Sequence, residues 1–458
     1  MVGGSKPAPA TSSPVLSWGR THRYTHSQSR LRSGQVRIAP EAGKGPAIAH
    51  GMGRSYGDTA LSDGGTLLMT STMDRVLSVN WTTGVVRAEA GLTLDALLGM
   101  AVPRGWFPAV TPGSKFVTLG GCVANDVHGK NHHNQGSFGT CVRAFQLERS
   151  DRVKSVVCTP VRNKALFAAT LGGLGLTGVI RWVEIQLKPI RSAYLDVENI
   201  PYPDMDAFLR LSEESAGWDY TVAWVDCFAK GRNRGRGIFT RGRFSETGAL
   251  KLHSAPRLRM NLTPPGFLLN KLSVKTFNRL YRWRPGARYR GKSHYDPFFY
   301  PLDGIAEWNR LYGRRGFFQH QCLIPPEEAR EGVSRLLSAI ERSGQGSFLA
   351  VLKRHGREAS PGWLSFCGPG LSLALDFANR GQKTKDLLSR LDRIVLDHGG
   401  RLYPAKDGSM SAETFKAAFP EWHRVEALRD PALMSAFWSR ILKAHTLKAP
   451  PDTFSGDP

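Results

Sequence analysis

The sequence predicts an α+β fold organised as two domains, and three observations carry that prediction. From Ile48 to Pro189, apolar β-branched runs (Val85-Val86, Val153 to Val157, Val179 to Val183) alternate with glycine turns and short helical patterns such as Thr93 to Val102. From about Arg191 to Gly399, strand-like stretches at Thr221 to Phe228, Phe317 to Ile324, Ser347 to Lys353 and Leu371 to Phe377 accompany a helical pattern at Glu327 to Ser343, which suggests a sheet covered on one side. After Arg401 the chain turns mostly helical, at Ser411 to Ala418 and Val425 to His445. The expected units are a flexible tail at 1–14, a first domain at 15–190, a second at 191–399 containing a basic insert at 230–292, and a C-terminal segment at 400–458 that returns to the first domain.

With 458 residues the chain can bury a sizeable core, and its apolar content is that of a soluble globular enzyme. The N-terminal tail is rich in Ser, Pro, Ala and Gly and lacks the apolar stretch of a secretory signal. No run approaches the 18 or so apolar residues of a spanning helix. Six scattered cysteines (Cys122, Cys141, Cys158, Cys227, Cys322, Cys367) show no CxxC and no metal-ligand spacing, and read as reduced core thiols; no metal is expected.

The net charge of +24 is unevenly placed. Lys230 to Lys292 carries 17 Lys or Arg against the single acid Glu246, and interleaves them with Phe267, Leu268, Leu269, Leu272, Phe277, Leu280, Tyr281 and Trp283. A segment both basic and apolar suits an anionic membrane surface. The competing readings are a solvated charged loop and a nucleic-acid patch through phosphate contacts; the latter ranks last and nucleic acid is not expected, because no nucleic-acid-binding motif accompanies the charge.

Two glycine-rich segments point to chemistry. His50 to Asp58 (HGMGRSYGD) follows a short apolar strand candidate, Ala47 to Ala49. Its glycines permit positive φ and close approach of backbone to ligand, so that N–H groups can face a pyrophosphate, with Arg54 as a supplement. It does not match GxGxxG opening a long helix, which disfavours a nicotinamide-type site. The second, Thr111 to Lys130, adds small side chains and hydroxyls able to line a cofactor channel, and Gly172 to Ile180 continues the pattern. An ordinary tight loop is the bland alternative for any one of them.

The loops GMGRSYGD, PGSKFVTLGGCVANDVHGKNHH and LGGLGLTGVI resemble the FAD domain of the vanillyl-alcohol-oxidase (PCMH-type) superfamily, and within it the decaprenylphosphoryl-β-D-ribose 2-oxidase family. The likeness runs from Trp18-Gly19-Arg20 through Tyr289-Arg290-Gly291-Lys292, Phe299 to Asp303 and Glu307 to Arg310 to the YPAKD run Tyr403 to Asp407. The resemblance implies a two-domain FAD-binding fold with an antiparallel-sheet substrate domain, and FAD held non-covalently, since Ser55 and Tyr56 stand where covalent relatives often carry histidine. It places the cofactor on Gly53, Arg54, Ser55, Tyr56, Gly57 and Asp58, on Gly113, Ser114, Val117, Thr118, Gly121, Cys122, Asn125, Asp126, His128 and Gly129, and on Gly178, Val179, Tyr403 and Ala405. Around the substrate it places Tyr56, Lys130, Tyr300, Gln319, Gln321, Lys353 and Lys406.

The reaction so implied is hydride transfer from C2 of a lipid-linked polyprenylphosphoryl pentofuranose to the flavin, leaving a 2-keto sugar that a short-chain reductase partner returns as the epimer. The implied location is cytoplasmic, peripheral at the inner membrane face. Alcohol oxidation needs a proton acceptor at the hydroxyl, and the candidates are His128, which titrates near neutrality, and Lys406, which requires desolvation. Which of them is the base stays open. Gln319 and Gln321 alternate along a presumed strand and so face one side. In two respects the chain departs from the family: a family cysteine and asparagine align with Ala374 and Ser372, and Arg20 to Ile48 is shorter than the family's opening unit, with no clear helix before Gly51. The alternatives are a flavin oxidase of a soluble sugar, sugar alcohol or aldonolactone, and a polyanion-binding protein with a vestigial flavin domain.

Overall fold

The computed structural model describes residues 15–40, 45–254, 258–264 and 269–446. The expected tail at 1–14, Phe267 and Leu268 lie outside them. Ahead of Gly51 the chain forms two short strands, Ser27–Arg30 and Ala47–His50, which flank Thr66–Met69 in a parallel three-stranded sheet.

A six-stranded sheet follows, built on Val179–Pro189, which pairs with Val85–Glu89, Val142–Glu148 and Trp106–Pro108. Its alternate residues Val183, Ile185 and Leu187 are buried, the period of two that a half-covered strand requires. Against it packs the helix Leu94–Ala101, whose Leu94, Leu97, Leu98 and Ala101 make one apolar face and whose first turn is capped by the Thr93 hydroxyl, accepting from Ala96 N at 3.2 Å.

The third sheet has eight strands, all antiparallel, in the order Tyr289–His294, Tyr194–Tyr202, Gly237–Phe244, Tyr220–Val225, Ala350–His355, Gly370–Ala378, Phe317–Ile324 and Arg401–Leu402. The basic stretch at 230–292 is therefore only partly an excursion, because Gly237–Phe244 and Tyr289–His294 are strands of this sheet. Arg241 tolerates the position by pairing with Glu198 on the neighbouring strand at 2.6 Å.

Helices Ala329–Ser343 and Gln382–Asp397 cover one face of the sheet. Leu371, Leu373, Leu375 and Phe377 join Phe318, Cys322, Ile324, Ala350 and Leu352 beneath Leu336, Ile340, Leu388 and Leu391. The pleat sends the intervening residues, Gln319, Gln321, Val351, Lys353, Ala374 and Asp376, to the opposite face. That face looks toward the glycine loops.

The C-terminal segment stitches the two parts together. Arg401–Leu402 adds to the edge of Phe317–Ile324, Tyr403 N donates to Gln321 O, and Tyr56 N donates to Ala405 O. The helix expected over Val425 to His445 is broken into Trp422–Ala427 and Ala436–Thr446. Pro431 supplies no N–H for a continuous helix, and Asp430 turns instead to accept from Ser150 N and Ala432 N. Ala436–Thr446 then brings Arg440 onto the buried Asp58 at 3.1 Å.

Candidate active site

The loop after Ala47–His50 is shaped by two local devices. The His50 ring hydrogen-bonds Ala60 O at 2.8 Å, closing the loop's base, and Gly53 turns at φ +61°, where any side chain would also meet the His50 ring. Gly51 touches the Thr118 hydroxyl of the second segment, and Thr118 in turn accepts from Gly121 N at 3.1 Å. The Arg54 guanidinium lies 4.0 Å over Trp18 and donates to Phe116 O.

Between these loops and the uncovered sheet face lies a cavity of about 350 Å³. Gly53, Arg54, Ser55 and Tyr56 line it from the first loop. Gly113, Ser114, Val117, Thr118, Gly121, Asn125 and His128 line it from the second, and Gly178 from the third. Gln319, Gln321 and Lys353 come from the sheet, and Tyr403, Ala405 and Lys406 close the far end. Ala374 stands on the same wall.

Eight expected residues lie elsewhere, each for a visible reason. Gly57 faces protein: a Cβ there would sit 1.8 Å from Asp407 O. Asp58 is held by Arg440 and the Tyr24 hydroxyl. Cys122 is fully buried in the core of the six-stranded sheet, and Val179 in a small cluster with Ala47 and Leu433. Asp126 accepts from Gly139 N at 2.7 Å and from Ser360 and Ser365 at 2.5 Å, fastening the second loop to the one after Ala350–His355. Gly129 abuts Thr111 O. Lys130 points away, donating to Phe298 O and Phe299 O, with burial drawing its pKa down to about 7. Tyr300 bonds the Thr111 hydroxyl at 2.6 Å.

Two polar sets are built on side chains that line the cavity, the second backed by Asp376 and Tyr312 behind the lining. In the first, His128 is gripped at both nitrogens: Lys353 Nζ lies 2.9 Å from Nδ1, and the Gln321 side-chain amide 2.8 Å from Nε2. An ammonium offers donors only, so Nδ1 accepts and the ring proton sits on Nε2; the Gln321 amide, whose nitrogen stands at that position, must turn over to offer its oxygen. Burial first, and then the neighbouring Lys353 charge, holds the His128 pKa well below its ordinary value. In the second set, Lys406 Nζ lies 4.0 Å over the Tyr56 ring. Burial draws Lys406 down to about 8 against the opposing pull of Asp376. Asp376, raised to about 7 by burial, accepts from Gln319 at 2.6 Å and from the Tyr312 hydroxyl at 3.3 Å. Tyr56 is pushed well above its usual value, chiefly by burial, and remains a neutral phenol.

Trp18 and Trp308, which line the cavity, and Asp376, which stands behind Gln319, were not among the expected site residues. For Asp376 the signal was strand parity with Ser372 and Ala374; the tryptophans lie in stretches that carry the family likeness.

The cavity fits a flavin dinucleotide by its own features. A Cβ at Gly113 would meet nothing within 4 Å, which leaves open space for a ligand, and the lining combines glycine backbone with a few polar side chains.

Comparison with known proteins agrees. Residues 35–151 match the family described as FAD binding domain. The chain is 35% identical over 444 residues to decaprenylphosphoryl-beta-D-ribose oxidase of Mycolicibacterium smegmatis, spanning 92% of this chain and 95% of that one. It is 31% identical over 376 residues to an uncharacterized protein in the mprA 5' region of Streptomyces coelicolor, spanning 77% of this chain and 99% of the relative. A shorter likeness, 30% over 28% of this chain and 24% of the other, links it to cytokinin dehydrogenase 10 of Oryza sativa subsp. japonica.

Proposed function

The chain belongs to the decaprenylphosphoryl-β-D-ribose oxidase family and is an FAD-dependent oxidoreductase acting on CH–OH groups, and from that premise we propose that it oxidises the 2-hydroxyl of a polyprenylphosphoryl-β-D-ribofuranose to the 2-keto sugar. The observation that carries the reading is the pair of polar sets on the wall of a glycine-lined cavity. Gly53 to Tyr56, Gly113 to Thr118, Gly121, Asn125 and Gly178 would hold the cofactor, with no covalent anchor. Bound there, FAD supplies the acceptor for the hydride that leaves the alcohol carbon.

The protein's own part is to position the sugar and take the hydroxyl proton. Lys406 is the acceptor in this reading. Its burial leaves a useful fraction as neutral amine near neutrality, and the ammonium it becomes is matched by the Asp376 carboxylate. Both His128 nitrogens are already committed to Lys353 and Gln321, so His128 holds the wall in place and does not take the proton. Gln319 and Tyr56 then orient the hydroxyl toward Lys406.

A 2-keto product requires a reductase of the short-chain class to complete an epimerisation. A lipid-linked substrate calls for a membrane face. No helix among the described residues is long and apolar enough to cross a membrane, but Lys271–Trp283 offers a surface. Val274 and Asn278 anchor it inward, while Leu272, Leu280 and Trp283 are exposed among Lys271, Lys275 and Arg279. The preceding Leu269 packs against the cluster of Tyr56, Trp308, Tyr312 and Phe317, of which Tyr56 and Trp308 also line the cavity. Such a face fits the surface of an anionic bilayer.

The test is anaerobic bleaching of the flavin by a panel of polyprenylphosphoryl pentoses and soluble sugars. Rapid bleaching by the lipid-linked ribose alone is expected; equal rates with soluble sugars would refute the substrate assignment.

A further inference from the structure

Behind the wall that carries His128 and Lys353, three side chains from distant parts of the chain converge. His132 begins the short helix His132–Gln135, His355 ends the strand Ala350–His355, and Cys367 lies in the loop that follows it. One imidazole nitrogen from each histidine and the Cys367 sulfur lie within 4.8 Å of one another. The three residues are 1%, 3% and 6% exposed. Neither ring nitrogen of either histidine is hydrogen-bonded to any other described residue. Buried polar atoms are paired as a rule, and four unpaired ring nitrogens in one place call for a ligand.

We propose that His132, His355 and Cys367 form a buried site for one thiophilic d10 cation, Cu(I) or Zn(II), bound through one nitrogen of each imidazole and the Cys367 sulfur. Thiolate and imidazole donors select such ions, and a site with no carboxylate or carbonyl ligand does not suit magnesium or calcium. The rings stack at 4.0 Å between centroids, an arrangement open to neutral imidazoles, which are the ligating form. Burial, with Lys353 adding to it, keeps His132 down at about 3.

Metal–ligand bonds of about 2.0–2.3 Å set ligand atoms about 3.5 Å apart, so closure needs a shift of about 1 Å, with one ring turning out of the stack to aim its lone pair at the ion. On binding, the Cys367 thiol releases its proton to solvent as the sulfur–metal bond forms, and no electrons move. A thiolate with a monovalent ion is a neutral unit. Beside the Lys353 ammonium that favours Cu(I), which accepts three ligands, over Zn(II), which adds charge and asks for a fourth. His128 cannot supply the fourth, since both its nitrogens are engaged. The ion would pin a helix, a strand and a loop together at the back of the cavity wall.

The test uses the full-length flavoprotein, stripped by chelation and titrated anaerobically with Cu(I), and separately with Zn(II), each against a chromogenic chelator. One equivalent is expected per chain for at least one ion. Affinity should fall more than about 100-fold in Cys367→Ser and in His355→Phe, beyond what changes behind a ligand cost, and stay unchanged in Cys141→Ser. Co(II) should give ligand-field bands to the red of the flavin absorption that Cys367→Ser loses. Retention of one ion and not the other assigns the metal. Failure to hold either ion against the chelator, or equal retention by both ligand variants with their flavin absorbance intact, would overturn the proposal.

Discussion

Replacing Asp376 by asparagine should move the pH profile of flavin reduction downward. Burial brings Lys406 from 10.5 to about 8, Asp376 opposes that shift, and Arg54 adds to it. At pH 7 a lysine titrating at about 8 is neutral about one time in ten, roughly 300-fold more often than an ordinary lysine. Removing the Asp376 charge removes what stabilises the ammonium, so the Lys406 midpoint falls below about 8, and each unit of fall raises the neutral fraction about tenfold on the acid side. Asp376 itself titrates at about 7, so the wild-type acid limb is shallower there: as the carboxyl takes up a proton, Lys406 gives one up more readily. Asp376→Asn should remove that inflection. The assay is stopped-flow anaerobic bleaching at saturating substrate across neutral and alkaline pH. Wild type should rise with pH and level above about 8. Lys406→Ala should keep its flavin, lose the limb and slow by about 10²–10⁴. A midpoint unchanged or raised in Asp376→Asn, or wild-type bleaching by Lys406→Ala, would refute the assignment of the base.

Four other outcomes are expected. Arg440→Ala leaves the fully buried Asp58 carboxylate with the Tyr24 hydroxyl as its remaining side-chain partner, and because Arg440 is itself about one third exposed, the loss should be about 2–3 kcal/mol by denaturant unfolding. Gly57→Ala drives a methyl into Asp407 O and must displace the Tyr403 to Asp407 run, so flavin loading and bleaching rate should both fall; an unchanged rate would mean that segment moves freely. Leu280→Glu with Trp283→Glu should weaken binding to anionic vesicles, binding that in wild type also declines with salt, while leaving bleaching by a short-chain soluble substrate untouched. Acid precipitation should leave all of the yellow colour in the supernatant, as a cofactor without a covalent bond requires; flavin in the pellet would contradict it.

How far the site could be read from the sequence depended on whether its signals were local. The glycine loops were legible because a positive φ at Gly53 and a Thr118 cap on Gly121 N are properties of neighbouring residues. Gln319 and Gln321 were legible because strand parity alone puts them on one face. The same parity puts Asp376 on that side, since it alternates with Leu375 and Phe377. Strand Gly237–Phe244 was hidden by its own arginines, whose partners Glu198 and Trp218 belong to other elements. Lys130, which the family likeness places around the substrate, is directed by contacts far from its own stretch of sequence: its carbonyl accepts from Thr221 N and its ammonium turns to the carbonyls of Phe298 and Phe299. A buried ammonium must find acceptors, and the nearest ones lay outside the cavity. Sequence separation decides the last case as well. His132, His355 and Cys367 have no spacing that marks a metal site, because they come from a helix, a strand and a loop; the register of Ala350–His355 against Gly370–Ala378 places His355 and fixes the parity of His355 and Lys353 at once. That register sets both the support for His128 and the proposed ligand behind it, so a one-residue slip would remove the two together.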